Sequence, residues 1–170
     1  MDARISELRF GPRLRNLVLT VHIIVSVGLL GDSAGFLAVA IRHVASDDPL
    51  FQEHTRDLLG MFALSFGIPL SFLALLTGIA LGIGTRWGVF QYPWVIAKLA
   101  LILSVIAVGA LVLRPLLFGD SVDDTALVAG ASWDVFALAT ATALAVFKPG
   151  RRLPWHAGRE GNPTQGGQPI

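Results

Sequence analysis

Residues 17–41 read LVLTVHIIVSVGLLGDSAGFLAVAI, and this stretch decides the class of the protein. A helix of about 20 predominantly apolar residues crosses the hydrocarbon core of a bilayer, and this run of about 25 is long enough to do so with some tilt. It is also longer than the roughly 7–15 residue apolar core of a cleavable signal peptide. We therefore expect a retained transmembrane helix.

Three further apolar runs follow, and together they predict an all-α, four-transmembrane-helix bundle. They occupy residues 58–83, 94–114 and 129–147. The chain is 54% hydrophobic and only 15% charged, and its charges cluster at the ends and in short gaps between the runs, a pattern typical of a chain solvated by lipid. The predicted membrane domain thus covers 17–147, between a basic N-terminal segment at 1–16 and a Gly-, Pro- and Gln-rich tail at 148–170 that we expect to be disordered.

Basic residues at the two ends of the chain predict its orientation. Four spans bring both termini to one side of the membrane, and the positive-inside rule makes that side cytoplasmic. We therefore predict a multi-pass protein of a bacterial inner (cytoplasmic) membrane. The residues that carry this prediction are Arg4, Arg9, Arg13, Arg15, Lys148, Arg151, Arg152 and Arg159.

Two local signals refine the second span. Asp48 followed by Pro49 predicts that the helix begins there, above the membrane, with Asp48 as its N-cap. Pro69 is expected to kink the helix inside the span, with neighbouring groups satisfying the freed carbonyl. Small residues recur on one face of spans one, two and four and indicate close helix packing; they are Gly28, Gly31, Gly35, Gly67, Ser71, Ala74, Gly78, Gly82, Ala137, Ala141 and Ala145.

Ionisable residues inside the spans are costly and mark candidate sites. His22 and Lys98 each lie near the inner end of a span, so we expect them at similar depth. A neutral imidazole there could bind haem iron, another metal, or relay protons, and the lysine could pair with an anionic group. The plainer alternatives are a histidine satisfied within the bundle and a lysine whose amine reaches the headgroups.

Asp32, Arg114 and Asp134 are expected at similar depth in the outer half of the membrane. They could form an Asp–Arg cluster that only orients the helices, or one that admits protons or ions. In the first outer loop, His43 and His54 lie among acidic residues, but their spacing matches no tight metal-ligand template, and we predict no metal site. With zero cysteines, the sequence excludes a thiolate metal site and a thiol nucleophile.

Two stretches of sequence resemble known families. The first-span LVLTVHIIVSVGLLGDS and the third-span YPWVIAKLALILSVIAVGA resemble, over most of the chain, bacterial integral membrane proteins grouped as "domain of unknown function 2269". That resemblance implies a membrane bundle and no particular activity. More distantly, the first-span histidine and the W-x-x-x-K-L opening of the third span are similar to membrane protoporphyrinogen oxidase and the copper-resistance D membrane domains. The oxidase likeness implies haem at His22 and Lys98, although Ile96 stands where that family has a histidine.

Three functions stay open from the sequence. The absence of nucleotide-binding, hydrolase and zinc-protease motifs favours a non-enzymatic bundle acting as subunit, scaffold or small-solute passage, in contact with the lipid bilayer and with a second copy or another membrane protein. The second is a haem-binding or redox protein that uses His22 and Lys98. The third is a proton-coupled carrier that uses Asp32, Asp134 and Arg114. No basic stripe with interleaved aromatic residues suggests nucleic acid.

Overall fold

Four α-helices form the computed structural model, which describes residues 11–84, 92–119 and 123–147. They are α1 (Pro12–Val44), α2 (Pro49–Gly84), α3 (Pro93–Phe118) and α4 (Asp124–Phe147), and no strand occurs in these ranges. All four are long and apolar enough to cross a membrane, so the predicted all-α fold with four spans is confirmed. Residues 1–10 and the predicted tail at 148–170 lie outside the described ranges.

Each helix extends beyond the apolar run that predicted it. The helix start predicted at Asp48 is confirmed, since its Oδ1 accepts a hydrogen bond from the backbone N–H of Leu50 at 3.0 Å and Pro49 is the first helical residue. The first turns of α2 carry charged residues, including Glu53 and Asp57, before the apolar run begins. At about 1.5 Å per residue α1 is roughly 50 Å long, which exceeds the hydrocarbon core. The helices therefore project past the lipid at their polar ends.

The helices pack as a closed antiparallel ring in chain order. Helix α1 packs against α2 and α4, and α3 packs against α4 and α2. We call the end where α1 begins the Pro12 end and the end where it finishes the Val44 end. Short connections join α1 to α2 and α3 to α4 at the Val44 end.

Two π-helical turns interrupt the α-helices, and each comes just before a proline. In α2 the turn is Ala63–Gly67, two residues before Pro69, and in α3 it is Gly109–Leu113, two residues before Pro115. A proline ring clashes with the carbonyl four residues earlier, and a wider turn relieves that clash. The kink expected at Pro69 stays a prediction, while a π-helical turn precedes this proline. Helix α3 runs through Pro115 to Phe118 instead of ending at residue 114.

Two apolar clusters fill the bundle at different depths. The Val44-side cluster comprises Phe36, Ala40, Leu59, Leu113, Leu117, Leu127 and Ala131. The Pro12-side cluster comprises Val25, Leu29, Ala74, Val105, Ala137 and Leu138. Many large apolar side chains, such as those of Ile24 and Leu111, point outward, as expected for a surface that contacts lipid.

Small residues on α2 face α1, as the sequence indicates. Ser71, Ala74 and Gly82 are buried. A Cβ on Gly78 would lie 3.3 Å from Cε1 of His22, so the imidazole occupies the space that the glycine leaves. On α1, by contrast, Gly31 has no neighbour within 4 Å of an added Cβ and is not part of a packing seam.

Candidate functional site

A cavity of about 210 Å³ lies between the two apolar clusters, near the middle of the bundle. All four helices contribute to its wall, and both π-helical turns border it. Most of the wall is apolar. The polar side chains that line it are Asp32, Ser33, Ser71, Arg114 and Asp134.

Asp134 is the most buried acid of the cavity. It lies near the middle of α4, its residue exposure is 8%, and its Oδ1 atom has no hydrogen-bond partner in the described part of the chain. It shares the inward face of α4 with Ala131 and Ala137, which are exposed by 1% or less. The helix packing therefore holds this carboxyl inside the bundle.

Asp32 reaches the same cavity from α1. Its Oδ1 atom is also buried and has no hydrogen-bond partner among the described residues. A Cβ added to Gly67 would lie 3.3 Å from its Oδ2 atom, so the carboxyl rests against the glycine that closes the π-helical turn of α2. A larger residue at position 67 would have to push this carboxyl aside.

Arg114 lies at the rim of the cavity, where α3 approaches the Val44 end. The residue is exposed, and within the described ranges no ion pair joins it to Asp32 or Asp134. The structure thus brings the three predicted residues to one cavity, but not as an Asp–Arg pair.

The energetic cost of this arrangement is large for a four-helix protein. An aspartate at the centre of a membrane helix costs about 3 kcal/mol on insertion scales. A hydrogen bond to a charged group recovers about 1.5–3 kcal/mol, and among the described residues the two Oδ1 atoms make none. No hydrogen bond to these two atoms therefore offsets the cost of burying the carboxyls.

His22 lies on the other side of the Pro12-side cluster, half-buried between α1 and α2. Its Nδ1 lies 2.8 Å from Oγ1 of Thr77, and that hydroxyl donates its only proton to the carbonyl of Leu73 at 2.6 Å. The imidazole and the hydroxyl thus share a hydrogen bond between α1 and α2, and the tautomer of the imidazole sets its direction. Lys98 lies close enough to interact electrostatically with the imidazole, so these two predicted residues are also brought together.

The contacts of His22 give no support to the haem that the oxidase likeness implies. One edge of the imidazole ring packs against Gly78. His22 lines neither the cavity described above nor a second one at the Val44 end, so neither of these two cavities would place a haem against it.

Comparison with known proteins brings no relative. No family model, curated protein or solved structure matches this chain. The family resemblances of the first and third spans therefore stay predictions, and function must be argued from the geometry.

The Val44 end carries a second histidine–threonine bridge. Nδ1 of His43, which is 4% exposed, lies 2.7 Å from Oγ1 of Thr55, and this hydroxyl donates to the carbonyl of Phe51 at 2.9 Å. His54 is exposed instead. No group of three or more His, Cys, Asp or Glu residues within the described ranges could hold a metal ion.

Sequence reasoning missed the residues that shape the cavity. From the sequence, Gly67 is assigned only to a packing face, Ser33 is not singled out, and the π-helical turn before Pro115 is not predicted. The signal was present in the two prolines, since each follows a small residue, Gly67 or Gly109, at a short distance.

Proposed function

We propose that this protein is a non-enzymatic membrane carrier that exchanges protons for a cation at Asp32 and Asp134. The observation that carries the proposal is the pair of carboxyls at one mid-membrane cavity, each with a buried oxygen that lacks a hydrogen-bond partner within the described ranges. A bound proton or cation stabilises such a carboxyl. The two compete, because the carboxyl holds either a proton or a cation at one time.

The apolar clusters favour a carrier over an open channel. The cavity lies between the Val44-side cluster and the Pro12-side cluster, which close the bundle on both sides. A channel needs a continuous polar path across the membrane, whereas a carrier needs a site that is exposed to the two sides in turn. Titratable residues lie beyond both clusters, with His22 on one side and His43 on the other, where a proton could enter or leave.

Proton–cation exchange can be tested in proteoliposomes that contain the full chain and a trapped pH-sensitive dye. The vesicles are acidic inside and are diluted into buffers that contain sodium, potassium or benzyltrimethylammonium. We expect the internal pH to rise faster than in protein-free liposomes with at least one of these cations. Asp134→Asn should abolish the difference, because an amide cannot release a proton.

Asp57→Asn is the matched control, since Asp57 is an exposed acid on the polar turns of α2. This variant should exchange at the wild-type rate. Equal rates in protein-free and wild-type vesicles for all three cations would contradict the proposal, as would unchanged exchange in Asp134→Asn. A pure scaffold predicts both of those results.

A further inference from the structure

The cavity at Asp32 and Asp134 has a lateral opening between α2 and α3. These helices contact each other through their Pro12-side halves and again at their Val44-side ends. Between these contacts lie the two π-helical turns, and the exposed residues Leu64, Phe72 and Ala110 border the cavity there. A molecule dissolved in the bilayer can therefore reach the cavity without crossing either apolar cluster.

The size and lining of the cavity define what it can hold. An apolar protein cavity of about 150 Å³ accommodates benzene. The cavity here, about 210 Å³, has room for one aromatic ring or a comparable alkyl group with a small branched headgroup. A hydrated inorganic ion would find few oxygen ligands and would lose its water against apolar walls.

The acidic side chains in the cavity wall determine which charge the headgroup of a bound ligand can carry. Two acids line it, and the more buried one, Asp134, is more than nine-tenths buried with an unpartnered oxygen. The only basic side chain that the structure describes in its wall, that of Arg114, is exposed at the rim. An anion would meet two carboxyls inside, whereas a cation would pair with them.

We propose that this cavity binds a small lipophilic organic monocation, such as an aryl-alkyl ammonium, which enters from the bilayer between the two π-helical turns. The apolar part of the ligand packs against the cavity wall, and its ammonium group lies against Asp134 and Asp32. This inference rests on the proposed function in that it names the cation that the carrier exchanges for protons.

The binding test uses the full chain in mild detergent and two probes of the same shape. Benzyltrimethylammonium carries a permanent charge, and neopentylbenzene has carbon in place of its nitrogen. Equilibrium dialysis should show saturable binding of the charged probe. In Asp134→Asn its affinity should fall by about tenfold or more, because a charge-assisted contact is lost, while the uncharged probe should bind as before.

Two further variants separate the pocket from its charge. Ala110→Phe places a ring in the lateral opening and leaves both aspartates in place. It should weaken the binding of both probes. Asp57→Asn should change neither. Each variant must elute from gel filtration as the wild type does, so that a folding defect is not mistaken for lost binding.

Three outcomes would overturn the inference. They are no saturable binding of benzyltrimethylammonium to the wild type, equal affinity in Asp134→Asn, or binding of benzenesulfonate instead, with loss in Arg114→Gln. The binding test and the proton-exchange assay can fail separately. Binding without proton exchange removes the carrier and leaves the site, whereas exchange of sodium or potassium without probe binding keeps the carrier and removes this ligand class.

Discussion

At the scale of single residues, some polar side chains pair across helices and others line the cavity. His43 and Thr55 show the first case, since Nδ1 of the buried histidine shares a hydrogen bond with the hydroxyl. Thr55→Val keeps the shape but leaves that ring nitrogen without its partner, and we expect it to lower the free energy of unfolding by about 1–3 kcal/mol. Thr20→Val is the control, because the hydroxyl of Thr20 donates only to the carbonyl of Asn16 in its own helix. This substitution should lower the free energy of unfolding only slightly. Denaturation in mixed detergent micelles, followed by circular dichroism, measures both. Equal costs would show that the bridge between α1 and α2 does not stabilise the bundle.

At the scale of elements, the π-helical turn in α2 adjusts its register with α1. Thr55 and Thr77 are one residue further apart than their partners His43 and His22, which is the extra residue that a π-helical turn accommodates. Deleting Ser65, an exposed residue of this turn, should therefore yield a folded protein in which both halves of α2 keep their register with α1. Deleting Leu76, an exposed residue of the regular helix, should rotate one half of α2 by about 100° and cause aggregation. Gel filtration in detergent distinguishes the two. If both deletions aggregate, or if both are tolerated, the turn does not have this role.

At the scale of the whole molecule, an even number of spans places both termini on one side of the membrane. We infer from the basic residues of both ends that this side is the cytoplasm. A fluorescent protein fused after Ile170 should therefore be bright, because it folds in the cytoplasm, whereas alkaline phosphatase inserted at Asp47, in the turn between α1 and α2, should be active. An active phosphatase fused after Ile170 would show that the orientation is the opposite of the one predicted.

The number of helices and their location in lipid follow from the sequence by itself. Hydropathy is a local property, and a helix in hydrocarbon must satisfy its own backbone, so four apolar runs suffice to predict four spans. Asp48 and Pro49 likewise specify a helix start through contacts with their chain neighbours. The sequence also singles out Asp32 and Asp134, because the free-energy cost of placing a charged side chain in hydrocarbon does not depend on knowing the fold.

Only the tertiary structure decided what those carboxyls face. An aspartate on a helix can pair with Arg114, with a hydroxyl or with nothing, and the choice depends on how the helices rotate and where they separate. The π-helical turns before Pro69 and Pro115 border the cavity at the level where α2 and α3 separate. Packing between distant parts of the chain, which hydropathy does not encode, thus placed two acids from different helices in the wall of one cavity.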